Sequence, residues 1–284
     1  MTILLTGGTG KTSTRIAGLL TDAKISFLLT SRQSESTPTG LHVYFDWTDS
    51  STYANPFKSE ERITAIYLIA PTIMDPFKPM NEFVELAFKK HGVKRFVLMG
   101  GIDGPGEGRH VGKVWQKLLD LGVEYCVLRP AWFMDNLSEP YFGQFLPVIK
   151  DERKIYTAAG EHKIPFISAK DVARVAFHGL VDEKSHDTDH KICGAESLTY
   201  DEIAEKLTRH LEIKIEHVKL GEEERAKQMV EHGTPEPLAR FLANIEATGA
   251  GLGELENVND FEKVTGDHPQ SFDKFVEEHK TVWL

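Results

Sequence analysis

Thr2-Ile3-Leu4-Leu5-Thr6-Gly7-Gly8-Thr9-Gly10-Lys11-Thr12-Ser13 is the stretch that decides the fold. Residues 2–5 read as a buried strand, the glycines as a tight turn, and Thr12 onward as the opening of a helix. A strand, a glycine turn and a helix N-terminus in that order bring exposed backbone N–H groups and the positive end of a helix dipole to one point. That is the geometry that holds a pyrophosphate. Gly7 and Gly10 take the first two positions of a G-x-x-G-x-x-G spacing, and the third is Ser13, small enough for helix and strand to lie close. The expected phosphate-binding set is therefore Thr6, Gly7, Gly8, Thr9, Gly10, Lys11 and Thr12. Gly10-Lys11-Thr12 also looks like the end of a nucleoside-triphosphate loop. That loop needs a glycine five residues before its Gly-Lys-Thr, and Leu5 stands there, inside the strand. A glycine turn without a ligand is the plain structural alternative.

Outward from this turn, short apolar runs alternate with amphipathic helical patterns. Strands are expected at residues 2–5, 26–30, 42–45, 63–70, 95–99 and 125–128, with helices near 12–23, 79–90 and 110–121. In the last of these helices Val111, Val114, Trp115, Leu118 and Leu119 share one face. Strands that are apolar throughout suit a parallel sheet covered on both sides, and their alternation with helices reads as a doubly wound sheet. Past residue 133 the pattern changes to short strands (164–167, 190–193, 214–218) and helices (171–181, 200–211, 222–232, 235–245). Gly249, Gly251 and Gly253 mark a loop before two last short helices. The expected fold is α/β, a Rossmann-type doubly wound parallel sheet with a smaller C-terminal α/β substrate cap. Residues 1–133 are expected to form the dinucleotide-binding Rossmann domain. Residues 134–284 form a mixed α/β substrate-binding portion that partly returns to the main sheet.

The second strand indicates which dinucleotide fits. Sites selective for NAD often end that strand on an acid bonded to the ribose 2′-hydroxyl. Here it ends Leu28-Leu29-Thr30-Ser31-Arg32-Gln33, with no acid. Ser31 and Arg32 can instead take a 2′-phosphate, which makes NADP(H) the expected cofactor; a solvated loop arginine is the alternative for Arg32. Asp46, after the third strand, is placed for the adenine amino group or serves as a simple turn residue. Ala70 and Pro71 end the fourth strand and Gly100 the fifth, where backbone would pass the cofactor.

Composition narrows the function classes. The chain has 284 residues, enough for a large core, and 40% hydrophobic with 27% charged residues is ordinary for a globular protein. A formal net charge of −10 argues against a nucleic-acid partner. No run of about eighteen apolar residues is present, so no membrane span is expected. The N-terminus lacks the basic region and cleavage site of a signal peptide. Two cysteines, Cys126 and Cys193, imply a reducing compartment, with the cytoplasm as the default. His186 and His190 are four apart around Asp187, Thr188 and Asp189, which reads as a loop. No third ligand is near in sequence, so no metal is expected. Arg129 before Pro130 reads as an internal ion-pair partner.

Several stretches together carry a family resemblance. The opening strand and glycine turn resemble the NmrA-like branch of the atypical short-chain dehydrogenases. So do Arg95-Phe-Val-Leu-Met, Leu128-Arg-Pro-Ala-Trp-Phe-Met-Asp-Asn-Leu, Lys163-Ile-Pro-Phe-Ile-Ser-Ala-Lys-Asp-Val-Ala and Leu198-Thr-Tyr-Asp-Glu-Ile-Ala. Within that branch the chain is similar to the fungal ergot-alkaloid reductases, the festuclavine and agroclavine dehydrogenases. Arg-Pro-x-Trp-Phe-Met-x-Asn is the most specific piece, and the likeness is weakest after about residue 235. The resemblance implies an NADPH-dependent reductase of a cyclic iminium or similar unsaturated small molecule.

Ketone-reducing short-chain dehydrogenases usually carry Tyr-x-x-x-Lys, in which the lysine lowers the tyrosine pKa and the tyrosine protonates the developing alkoxide. None of the tyrosines at 44, 53, 67, 125, 141, 156 and 200 has a lysine four residues later. The fifth strand ends Met99-Gly100-Gly101 where the related reductases carry serines. Two readings follow. Hydride addition to an iminium gives a neutral amine and leaves no alkoxide to protonate, so orientation and desolvation matter more than an acid. Alternatively the protein is a non-catalytic NADP(H)-sensing regulator that binds a protein partner. A lyase or isomerase on the same scaffold is a third class. Lys113 is the leading candidate in the catalytic region, to hold the nicotinamide ribose or donate a proton, against a surface lysine. His110, a turn earlier, shares its face, against a helix-cap role. Trp132, Phe133 and Met134 follow the sixth strand. They can wall a pocket for a flat cationic substrate through cation–π attraction or belong to the core.

Overall fold

In the computed structural model, residues 2–32, 41–58, 62–101, 104–108, 111–140, 145–255, 258 and 260–284 are described. The chain divides into two compact units. The first comprises Met1–Pro130, Ala169–Lys191 and Lys263–Gly266; the second comprises Ala131–Ser168, Ile192–Glu262 and Asp267–Leu284.

The elements follow as β1 (Thr2–Leu5), α1 (Lys11–Asp22), β2 (Ser26–Ser31), β3 (Leu41–Tyr44), β4 (Ile63–Leu68), α2 (Phe77–His91), β5 (Arg95–Met99), α3 (Gly112–Leu121) and β6 (Glu124–Pro130). Then come α4 (Phe145–Glu152), β7 (Lys154–Thr157), α5 (Ala169–Val181), β8 (Thr188–Ile192), α6 (Tyr200–Leu211), β9 (Glu216–Lys219), α7 (Glu222–Glu231), α8 (Glu236–Thr248), α9 (Asp260–Thr265) and α10 (Phe272–His279). Among the described residues the first unit carries a seven-stranded sheet in the order β3-β2-β1-β4-β5-β6-β8. The registered pairs from β3 through β6 are all parallel. The order reverses direction between β1 and β4, the switch point outside which ligands bind in doubly wound sheets. This is the Rossmann-type α/β fold expected from the sequence.

Strand alternation sends side chains to two covered faces. Leu4, Ile66, Leu68, Phe96 and Leu98 join Met80, Phe83 and Val84 of α2 and Val114 and Leu118 of α3 in one core cluster. On the other face α5 packs against α1 and against β4, β5 and β6. Its Val172, Ala173, Val175 and Ala176 are fully buried. Helix α2 ends with Gly92 in the left-handed region, preceded by Lys89, Lys90 and His91, which complement the negative helix end.

The second unit has its own core, built on Phe145, Ile149, Ile155, Phe166, Tyr200, Ile203, Leu207, Phe272, Phe275 and Trp283. β7 and β9 form a separate two-stranded parallel sheet. The strand expected at 164–167 is not one. Pro165 has no N–H to donate, and the segment makes only isolated bridges, Ile164 with Leu198 and Ile167 with Phe133. Among the described residues no helix is long and apolar enough to cross a membrane.

Candidate functional site

The glycine turn lies in the first unit at the end of β1, beside the switch point. Gly7 has φ +61°, a left-handed conformation that favours glycine, and a Cβ there would stand 2.5 Å from Ile69 Cγ2. At Gly8 a Cβ would meet Thr30 O at 2.9 Å, while the Gly8 N–H donates to that same carbonyl at 2.8 Å. The turn is thus pressed against the end of β2, and Gly10 N closes it on Gly7 O at 2.8 Å. α1 starts on Gly10 with no side-chain cap and no acid in its first turn. Its first N–H groups have no intrahelical acceptors, and its positive end carries no carboxylate to offset it. A backbone this close, with side chains sterically barred, fits the pyrophosphate of a dinucleotide.

Below the turn is a hydrogen-bond network that sequence reasoning missed. Thr6 Oγ1 donates to Tyr67 O at 2.9 Å and accepts from Ile69 N at 2.9 Å. Ser13 Oγ donates to Thr6 O at 2.8 Å, which shows how a serine stands where a third glycine is usual. Thr12 Oγ1 and the Tyr67 hydroxyl lie 2.7 Å apart. All four side chains are buried, and burial pushes the Tyr67 phenol up, so it stays protonated. The hydroxyls of Thr6 and Thr12 therefore brace β1, α1 and β4. Thr9 is exposed at the tip of the turn, and Lys11 is half-buried at the helix start.

Ser31 closes β2 and accepts from Phe45 N at 3.0 Å, and Arg32 follows it, exposed. Asp46 caps its own turn, its Oδ1 accepting from Thr48 N at 2.8 Å and Thr48 Oγ1 at 2.7 Å. Those bonds, with the charge of Arg32, outweigh desolvation and hold its carboxyl below the ordinary range. A shallow groove of about 360 Å³ adjoins this turn, lined by Trp47, Thr48, Ser50, Tyr53, Ile73 and Lys78 among others. Ala70 packs against the core beyond β4, and Pro71 O accepts from Ile73 N at 2.9 Å. Gly100 N donates to Leu128 O at 2.7 Å as β5 ends.

Lys113 sits in the first turn of α3, its Nζ 4.4 Å from the centroid of the Phe77 ring. Its backbone carbonyl accepts from Asn81 Nδ2 at 3.4 Å. His110 lies outside the described residues. Arg129 makes the internal pair read from the sequence, Nη1 to Asp189 Oδ2 at 3.3 Å, with Nε donating to Gly101 O at 3.1 Å.

Trp132, Phe133 and Met134 belong to the second unit. Trp132 is half-buried and meets Tyr200 edge-on, ring centroids 6.4 Å apart. Phe133 is half-buried and forms the bridge to Ile167. Met134 is 1% exposed, inside the core cluster. Of the three, Trp132 and Phe133 retain surface to offer a ligand.

With this geometry in hand, full-length likeness decides the family. The chain is 40% identical to agroclavine dehydrogenase of Claviceps fusiformis over 289 residues, covering all of this chain and 99% of the relative. The chain belongs to the agroclavine and festuclavine dehydrogenase family. A second member, festuclavine synthase II of Penicillium roqueforti, is 41% identical over 291 residues, with both chains covered completely. No family model matches the chain. Among solved structures, the triphenylmethane reductase of Citrobacter sp., complexed with NADP(H), aligns with a TM-score of 0.78 at 20% identity. That alignment covers 98% of this chain and 100% of the other. It shows that the fold of this dehydrogenase family is shared by a distant reductase.

Proposed function

We propose that the chain is an NADPH-dependent oxidoreductase that reduces a small, cyclic iminium (C=N) or related unsaturated metabolite in alkaloid or other secondary metabolism. The observation that carries this reading is the braced glycine turn opening α1, in a chain 40% identical throughout to an agroclavine dehydrogenase. The turn and the N-terminus of α1 hold the pyrophosphate, and Ser31 and Arg32 take the 2′-phosphate. Asp46 lies beside the adenine. When bound, the cofactor supplies a hydride from nicotinamide C4. The electron pair of the C=N bond passes to nitrogen as the hydride adds to carbon, giving a neutral amine with no alkoxide to protonate. That balance agrees with a chain lacking Tyr-x-x-x-Lys. Lys113 orients the nicotinamide ribose, and Trp132 and Phe133 wall the substrate.

The test is NADPH oxidation followed with a panel of cyclic iminium, enone and aldehyde compounds, with NADH in parallel. Turnover is expected with the iminium class and NADPH. Tight NADPH binding with no turnover of any class would overturn the reductase and leave a redox-sensing regulator. Absence of NADPH binding would overturn both.

A further inference from the structure

Cys126, His186 and His190 are far apart in the chain and come together at the edge of the large sheet. Cys126 is in β6, His190 in β8, and His186 in the connection between α5 and β8. The cysteine sulfur and one nitrogen of each histidine all lie within 4.8 Å of one another. His186 Nδ1 and His190 Nε2 are 2.8 Å apart, and their rings meet at 85°. We propose that Cys126, His186 and His190 form a binding site for a thiolate- and imidazole-preferring cation, best matched by Zn²⁺.

Donor chemistry selects the ion. One sulfur and two imidazoles suit zinc and disfavour magnesium, calcium and manganese, which take oxygen ligands. Zinc bonds of roughly 2.0–2.1 Å to nitrogen and 2.3 Å to sulfur place tetrahedral donors about 3.3–3.6 Å apart. The imidazole nitrogens, 2.8 Å apart, open slightly to admit the ion, and the sulfur closes on it. Three protein donors leave a fourth position for water.

The outer contacts fit the same assignment. His186 turns its other nitrogen, Nε2, to Asp182 Oδ2 at 3.2 Å. A carboxylate that takes the second ring N–H of a metal-bound histidine fixes its tautomer and aims the first nitrogen at the metal. The backbone holds this aim. Asp187 N donates to Tyr125 O at 2.8 Å, and Tyr125 N donates to Asp187 Oδ1 at 3.1 Å. His186 and Cys126, the next residues on either side of that double bond, are thereby set opposite each other. Helix α5 closes the third side, where a Cβ on Gly179 would stand 2.9 Å from the sulfur.

Zinc takes the cysteine as thiolate and the imidazoles neutral, so binding releases the thiol proton to solvent. The bound ion would tie β8, the last strand of the sheet, to β6 and to the end of α5.

The probe is Co²⁺ added to chelator-treated, tag-free full-length protein. One equivalent is expected to give tetrahedral d–d bands and a sulfur-to-cobalt charge-transfer band, both bleached by Zn²⁺, and Zn²⁺ is expected to raise Tm. Cys126→Ala is expected to abolish the charge-transfer band and His190→Gln to abolish the tetrahedral spectrum, with Cys193→Ala unchanged. Asp182→Asn is expected to weaken Zn²⁺ binding by about 10- to 100-fold. Circular dichroism verifies that each variant is folded, and the His190 variant stands on its own if the buried Cys126 change unfolds the chain. No tetrahedral spectrum in the unaltered protein, or one that survives in both the Cys126 and His190 variants, would overturn the site.

Discussion

Arg32 stands exposed one residue past β2, and its charge is felt at Asp46 across the turn that follows β3. In the proposed reductase it meets the 2′-phosphate that distinguishes NADPH from NADH. A charge-assisted hydrogen bond contributes roughly 1.5–3 kcal/mol, so Arg32→Ala should weaken NADPH binding by about ten- to a hundred-fold. NADH binding should change far less, and equal losses by titration calorimetry would remove the 2′-phosphate role. Tyr67 presents a different case. Tyr67→Phe leaves the Thr12 hydroxyl, 2% exposed, without its partner, and a buried unsatisfied group costs about 1–3 kcal/mol. Urea unfolding should show that loss, with weaker NADPH binding as α1 loosens from β4; an unchanged midpoint would show that Thr12 finds another hydrogen-bond partner. The glycine turn was legible because Gly7 and Gly10 are neighbours and their requirement is local. The Thr12–Tyr67 bond was not, because 55 residues separate them. The same holds for Cys126 beside His186 and His190: their spacing reads as a loop with no third ligand, and only the folded sheet supplies the sulfur.

Elements were legible where period and length agree. β1 and β5 coincide with the apolar runs expected at 2–5 and 95–99, and α6 with the pattern at 200–211, which starts on a Thr199–Glu202 capping box. Two elements escaped the pattern. Helix α4 carries Pro147 in its first turn, a place where proline is tolerated although it reads as a breaker. β7 is four residues long and has its partner in β9, about sixty residues on. The docking of α10 on α6 is also long-range, and Asp273 adds polar contacts to its apolar ones. Burial works to raise that carboxyl, but hydrogen bonds from Lys206, His210 and Arg209 outweigh it and hold the group well below the usual carboxylate range. A depressed carboxyl stabilises the fold above the unfolded value of about 3.9, and the contribution is lost as pH falls through the folded value. With the side chain 36% exposed and sharing its oxygens among three partners, solvent screening limits the cluster to about 1 kcal/mol. Asp273→Asn should therefore speed hydrogen exchange at the Trp283 indole, which donates to Leu137 O at 2.8 Å, by up to about fivefold at neutral pH. The difference between variant and parent should shrink below about pH 4. Equal exchange at neutral pH would show that Asp273 does not hold α10.

At the scale of the whole molecule, sequence order and spatial order part company. The chain passes between its two units at residues 130, 168, 191, 262 and 266. The glycine turn, β1 to β6 and α1 to α3 all lie before residue 133, yet the first unit is incomplete there. It needs α5, whose Val172, Ala173, Val175 and Ala176 are fully buried and which packs on α1 and on β4, β5 and β6, and it needs β8 as the last strand. A chain ending at residue 133 would expose that face of the sheet to water. Fully burying an aliphatic side chain such as valine stabilises by about 1.5–3 kcal/mol. Removing one helix therefore takes away a sum comparable with the whole stability of a domain, about 5–15 kcal/mol. We expect the 1–133 chain to contain every residue assigned to the phosphates and still show no cooperative thermal transition and no NADPH-dependent rise in Tm. The full chain should show both, since a ligand at a hundred times its Kd adds about 2.7 kcal/mol to the state that binds it. A 1–133 chain that melts cooperatively and is stabilised by NADPH would mean that α5 and β8 are accessories to the sheet.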